Sequence, residues 1–123
     1  MALHMSGEDY LEAILVLQRQ KGEVRSVDVA RHMGFSKPSI SHAVAALEKG
    51  GYLRVDDRAL LHLTETGQAV AEQIYERHLY FKAQLVSAGV DPAVAEREAC
   101  QMEHAISAES FEKLKKYRGD EAE

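Results

Sequence analysis

Apolar residues recur at helical spacing from the start of the chain. In residues 8–20, Tyr10, Ile14 and Leu17 share one face, with Leu11 and Leu15 beside them. This predicts a helix that Lys21-Gly22 ends. Val24-Arg25 reads as a short extended piece, and Ser26 as the N-cap of a second helix over 27–33 with Asp28 in its first turn. Gly34-Phe35 supplies a tight turn. Ser36 caps a third helix that opens at Lys37-Pro38, lines up Ile40, Val44 and Leu47, and stops at Gly50-Gly51. The pattern then turns to alternation. Residues 52–55 and 60–63 are expected strands of a hairpin whose turn, Asp56-Asp57-Arg58-Ala59, lacks a glycine. Helical spacing returns after Thr64, the cap of a long helix over 65–87. Gly89 breaks it, Asp91-Pro92 opens a fifth helix to about Ile106, and Ser107 caps a last one ending near Tyr117, ahead of an acidic tail from Gly119.

Helix, helix, tight turn, helix and two-stranded ribbon is the order of a winged helix-turn-helix. The expected fold is mainly α: a winged helix-turn-helix DNA-binding domain over residues 1–64, then an α-helical domain over 65–123 for dimerisation and metal binding. The small Ala30 lets two helices approach closely. Ser36, Lys37, Pro38, Ser39, Ser41 and His42 open the recognition helix, whose N-terminal residues meet base edges in such folds. Arg25, Arg54 and Arg58 are candidates for phosphate contacts, the last two on the wing.

Composition bounds this reading. Hydrophobic residues make up 46% and charged residues 28% of 123, ordinary for a soluble globular chain. No apolar run approaches the roughly 20 residues needed to span a membrane, and a single cysteine excludes an internal disulfide. Both features lead us to expect a cytoplasmic protein with no membrane partner. The net charge of −5 argues against a nucleic-acid binder until its distribution is read. Residues 1–64 carry eight basic and eight acidic side chains, and residues 65–123 carry seven and twelve. The whole deficit lies in the half where a cation site is expected.

That site is suggested by Cys100, Glu103 and His104, at i, i+3 and i+4. In a helix all three leave one face, and a thiolate, a carboxylate and an imidazole converging there can hold a divalent transition metal. Asp9 and Glu12 share a face at i, i+3 of the first helix and are candidates to complete it. His4, His32 and His62 have no acidic or thiol neighbour at chelating spacing. No strained nucleophile turn, Gly-rich phosphate loop or HExxH helix is present, so no enzyme is expected.

Glu8-Asp9-Tyr10-Leu11-Glu12, Phe35-Ser-Lys-Pro-Ser39, Leu63-Thr-Glu-Thr-Gly67, Glu76-Arg-His78 and Glu98-Ala-Cys-Gln-Met-Glu-His104 together resemble the diphtheria toxin repressor and manganese transport regulator family of metal-activated repressors. The resemblance runs from Ser6 to about Lys116. It implies metal ligands at Asp9, Glu12, His78, Glu96, Cys100, Glu103 and His104. Asp9 and Glu12 are manganese-type, Cys100 is iron-type, and Lys82 stands where iron-type members have a second-site glutamate. Hard oxygens and imidazole suit Mn2+ and Fe2+, whereas the thiolate adds softness. The expectation is Fe2+ narrowly ahead of Mn2+, with Zn2+, Co2+ or Ni2+ able to substitute in vitro.

The function so implied is a repressor of metal-ion homeostasis genes that binds a palindromic operator in double-stranded DNA as a homodimer. Leu85, Val94, Ile106, Phe111 and Leu114 exceed what a monomer of this size needs and are the expected dimer interface. Asp9 and Glu12 would repel Glu96 and Glu103 until a metal makes ligands of them. The alternative is a winged-helix regulator that answers to an organic ligand or a protein partner.

Overall fold

The computed structural model describes residues 5–121, so His4 lies outside the described residues. In chain order the elements are α1 (Met5–Lys21), α2 (Ser26–Met33), α3 (Lys37–Lys49), β1 (Leu53–Val55), β2 (Leu61–Leu63), α4 (Glu65–Ser87), α5 (Pro92–Met102) and α6 (Ala108–Glu121). Two compact units meet within α4, between Ile74 and Tyr75. The sequence reading divided the chain earlier, at residue 64.

The first unit is a winged helix-turn-helix. Leu11, Ile14 and Leu15 of α1 are buried with Val24, Val29, Ile40, Leu47, Leu53 and Leu61. Each such side chain contributes roughly 1.5–3 kcal/mol when fully withdrawn from water. The start of α2 differs from the expectation that Ser26 caps it. Ser26 is already helical and Arg25 is the N-cap. The bond there runs backwards, from the Arg25 N–H to Asp28 Oδ2 at 2.8 Å, while Lys21 Nζ donates to Asp28 Oδ1 at 2.8 Å. Asp28 is therefore held below its ordinary pKa, chiefly by Lys21. Gly34 closes α2 in the left-handed region (φ 73°), and its N–H reaches Ala30 O at 2.8 Å. Ser36 caps α3 as expected, its Oγ accepting from the Ser39 N–H at 3.3 Å.

The ribbon pairs Leu53 with Leu63, Arg54 with His62 and Val55 with Leu61, each strand a residue shorter than expected. Asp56 replaces the missing turn glycine: Oδ1 accepts N–H bonds from Arg58 (2.8 Å) and Leu60 (2.9 Å), and Ala59 takes φ 63°. Thr64 Oγ1 accepts from the Gly67 N–H at 3.1 Å and donates to Gly51 O at 2.7 Å, which starts α4 where expected. Gly67 must be glycine, because a Cβ there would run into the Tyr52 carbonyl.

The second unit packs the rest of α4 with α5 and α6. Its core is Phe81, Ala99 and Phe111, flanked by Tyr80, Ile106 and Leu114. Tyr80 and Phe111 meet edge-on at 5.3 Å between centroids. Phe111, expected at a dimer interface, is thus an internal core residue, and Ile106 and Leu114 pack against it. The fifth helix ends at Met102 rather than near Ile106. The carbonyls of Glu103 and Ile106, which would otherwise be free, accept from Arg77 Nη1 at 3.2 and 2.9 Å. Ser107 then caps α6, its Oγ accepting from the Ser110 N–H at 3.0 Å. α6 continues to Glu121, beyond the expected end at Tyr117.

Candidate metal centre and nucleic-acid interface

Within the second unit one histidine gathers the candidate ligands. His78 projects from α4 and is buried. Its Nδ1 lies 3.1 Å from Glu103 Oε1 and 3.6 Å from Cys100 Sγ, and its Nε2 lies 2.7 Å from Glu96 Oε2. Ligand atoms of His78, Glu96 and Cys100 all fall within 4.8 Å of one another. Lys82 Nζ stands 2.9 Å from the other Glu96 oxygen. Cys100 is the only cysteine and is exposed.

Glu103 is the C-cap of α5 with helical backbone angles, so it keeps the one-turn spacing from Cys100 that the sequence suggested. Its side chain is 0% exposed and its Oε2 has no hydrogen-bond partner. A buried carboxylate oxygen left unsatisfied costs on the order of 1–3 kcal/mol or more. A divalent cation held beside it by His78, Glu96 and Cys100, whose ligand atoms fall together, would reduce that cost, and a carboxylate, thiolate and imidazole set suits a transition metal. The residues fit the ion that the sequence implied. His104 lies past the end of α5, half-buried, and outside the His78, Glu96 and Cys100 group. Asp9 and Glu12 are half-buried on α1 of the first unit.

Electrostatics follow this grouping. His78 is raised to about 11, first by its hydrogen bond with Cys100 and then by that with Glu103, against the opposing effect of burial. For Glu96, burial is the largest single influence and works against ionisation. Lys82 and His78 together outweigh it and hold the carboxyl below its ordinary value. Glu96 in turn raises Lys82. The sequence reading missed Arg77, whose guanidinium fixes the segment that carries Glu103. Its place in Glu76-Arg-His78, beside a ligand candidate, was the available signal.

In the first unit Ser36, Lys37, Pro38, Ser39, Ser41 and His42 are all exposed at the start of α3. Ser36 and Ser39 share a hydroxyl hydrogen bond of 3.0 Å. Arg25, Arg54 and Arg58 are exposed as well. Arg58 faces Glu23 at 3.4 Å, and on the ribbon His62 Nε2 meets Asp56 Oδ2 at 2.7 Å. That contact, with the turn N–H groups, lowers Asp56 to about 2. Among the described residues no helix is long and apolar enough to cross a membrane.

Comparison with known proteins assigns both units. Residues 2–60 match the iron dependent repressor N-terminal DNA binding domain, and residues 64–121 the iron dependent repressor metal binding and dimerisation domain. The transcriptional regulator MntR of Escherichia coli O6:H1 is 34% identical over 105 residues, covering 85% of this chain and 68% of that protein. An HTH-type transcriptional regulator of Methanocaldococcus jannaschii is 31% identical over 115 residues, 92% of each chain. Among solved structures, the manganese regulator SloR superposes with a TM-score of 0.80 at 28% identity, over 92% of this chain and 53% of that one. A manganese-dependent transcriptional repressor in complex with manganese gives 0.80 at 26% identity, over 92% and 52%. The chain therefore spans about half the length of these solved regulators.

Proposed function

The chain belongs to the diphtheria toxin repressor and manganese transport regulator family of metal-dependent transcriptional regulators, and from that premise we propose that a divalent metal ion activates it to bind a palindromic operator as a homodimer. The observation that carries the metal reading is Glu103, buried beside His78 and Cys100 with one carboxylate oxygen unpartnered. It favours a metal over an uncharged organic effector, because a cation adds to the partial compensation that His78 gives the buried carboxylate. His78, Glu96 and Cys100 would hold the ion, with Glu103 beside His78. When bound, the ion supplies the positive charge that this carboxylate and the thiolate lack. Asp9, Glu12 and His104 are further proposed ligands, on the sequence pattern alone.

The narrow expectation of Fe2+ over Mn2+ does not carry forward. SloR is named a manganese regulator and the second solved neighbour is a manganese-dependent repressor, so Mn2+ becomes the first candidate. Cys100 keeps Fe2+ as the second, through the affinity of softer ions for sulfur.

For DNA, the exposed start of α3 fits a major groove and the wing arginines fit phosphates. Leu79 and Val86, exposed two helical turns apart on α4, replace Phe111 as dimer-interface candidates. A metal that prefers the DNA-competent arrangement tenfold supplies about 1.4 kcal/mol per site, and two sites in a dimer reinforce one another.

The test is a titration of metal-free protein with Mn2+, anaerobic Fe2+ and Zn2+ against a labelled palindromic operator at fixed salt. Activation at micromolar Mn2+ or Fe2+ is expected, and Glu103→Gln should abolish it. Equal binding with a chelator present would remove the metal switch.

A further inference from the structure

The wing turn, Asp56-Asp57-Arg58-Ala59, reverses the chain without a glycine. Asp56 makes this possible by spending all its polar groups inside the wing. Its N–H donates to Leu60 O at 3.0 Å, and its carbonyl accepts from the Ala59 N–H at 3.0 Å. Oδ1 takes the N–H groups of Arg58 and Leu60, and Oδ2 meets His62 Nε2 at 2.7 Å. An ionised carboxylate only accepts, so the ring nitrogen donates. Ala59 sits at φ 63°, which a residue with a side chain adopts only where its surroundings impose it.

His62 stands where this turn meets a fixed base. Leu53 and Leu61 are buried, and the Leu61 N–H donates to Val24 O at 2.8 Å, so the strands are anchored to the rest of the first unit. The hairpin brings Asp56 to His62 from six residues away. His62 also pairs with Arg54 across the ribbon, so both side chains leave the same face, turned away from Leu53 and Leu61. A loop that must be ordered when DNA arrives weakens binding by the freedom it gives up. A turn already ordered by Asp56 avoids that loss. Asp56 is in turn oriented by His62, the first cause of its lowered pKa.

We propose that His62 is a positioning residue of the DNA interface: through Asp56 it holds the glycine-free wing turn in the one shape that presents Arg54 and Arg58 to the phosphate backbone. His62 acts here without touching DNA. The inference rests on the proposed contact of the wing arginines with phosphates.

The test uses full-length, Mn2+-saturated protein and the labelled duplex that the wild type selects from a random-sequence pool, at fixed salt. His62→Val keeps the strand preference and removes the donor. It should weaken binding roughly 5-fold, near the low end of what ordering one backbone residue costs. His62→Gln, whose amide can donate in place of the ring nitrogen, should recover most of that loss. Single phosphates neutralised as methylphosphonates should locate the effect: His62→Val loses sensitivity at the positions where Arg54→Ala loses it. In protein already carrying Arg54→Ala and Arg58→Ala, His62→Val should cost nothing more, because its only route to DNA is gone.

An equal loss in that doubly substituted background would overturn the proposal, since His62 would then act on the unit as a whole or on DNA directly. So would wild-type affinity in His62→Val, or a His62→Gln no better than His62→Val. Hydrogen exchange of the DNA-free wild type decides the matter even where a variant folds poorly. The Arg58 and Leu60 amides should already be protected, and protection gained only with DNA would overturn the proposal. Wild-type affinity in the doubly substituted protein would remove the wing contact itself, and this inference with it.

Discussion

The two units of the chain are held by different kinds of group. In the first, the fully buried side chains are aliphatic (Leu11, Ile14, Leu15, Val24, Val29, Ile40, Leu61), and Asp28, Ser36, Asp56 and Thr64 work at caps and turns. In the second, the buried apolar set is short (Phe81, Ala95, Ala99, Phe111), and two ionisable residues, His78 and Glu103, are buried with it. Hydrophobic burial is non-directional and needs no ligand. The Glu103 carboxylate has His78 at one oxygen and no partner at the other, so part of its desolvation cost stands. The first unit is therefore held by packing that needs no ligand, whereas the second keeps an uncompensated cost at Glu103, beside the proposed metal centre.

The harshest way to break this comparison is to damage the first unit where packing alone rules. Gly67→Ala drives a Cβ into the Tyr52 carbonyl and should cost about 3 kcal/mol or more, since backbone cannot yield as a flexible side chain does. Thermal unfolding and hydrogen exchange over residues 5–74 would show it. A melting temperature within a degree or two of the wild type would mean that the contact between α4 and the ribbon is looser than described. Glu103→Gln attacks the second unit instead. It should leave the metal-free fold in place, lower metal affinity by about 100-fold, and so cut the roughly 2.7 kcal/mol of stabilisation that metal at 100 times Kd gives the wild type to about 0.4 kcal/mol. Calorimetric melting with and without Mn2+ measures this. Equal stabilisation of the variant would show that Glu103 is not a ligand.

The same contrast explains what could be read from the sequence. Caps, turns and amphipathic faces are local, and Ser36, Gly34, Thr64 and Asp91 marked their elements to within a residue or two. Ser26 misled because Asp28, three residues on, could cap by bonding backwards to the Arg25 N–H. The end of α5 was missed because the deciding group, Arg77, comes from another helix and takes the carbonyls of Glu103 and Ile106. Phe111 was assigned outward because hydrophobicity marks a residue for burial without saying against what, and here Phe81 and Ala99 cover it. Cys100 and Glu103 were legible from helical spacing. His78 came only with the family resemblance, since it lies 22 residues before Cys100 on a different helix.

pH should separate the units from opposite ends. His78 is raised to about 11 by Cys100 and Glu103. The stability it gives the metal-free second unit is fully present below about 6.5, its unfolded value, and is lost as pH rises through about 11. In the first unit Asp56 is lowered to about 2, chiefly by His62, and Asp28 is lowered by Lys21. The contribution of Asp56 is present above about 4, the ordinary carboxylate value, and is lost as pH falls through about 2, and that of Asp28 is lost in the same direction. Hydrogen exchange across the pH range should show alkali loosening residues 75–117 first and acid loosening the ribbon first. Metal must also displace the His78 proton, so affinity should rise with pH about tenfold per unit per proton released. Loss of protection in both units at the same end would erase the distinction.

The smallest effect separates positioning from reading within the DNA interface itself. Lys37 is exposed at the first turn of α3, where it can meet a phosphate or a guanine edge. As a phosphate contact, Lys37→Ala should weaken binding a few-fold on every operator variant alike and shrink the salt slope by about 0.9 per subunit. As a base contact, it should cost about 1–3 kcal/mol at one operator position and leave the slope unchanged. Arg58→Ala should do less than either, because Glu23, 3.4 Å away, already competes for that guanidinium and exposed ion pairs of this kind contribute little. A larger loss from Arg58 than from Lys37 would move the main contact from the helix to the wing.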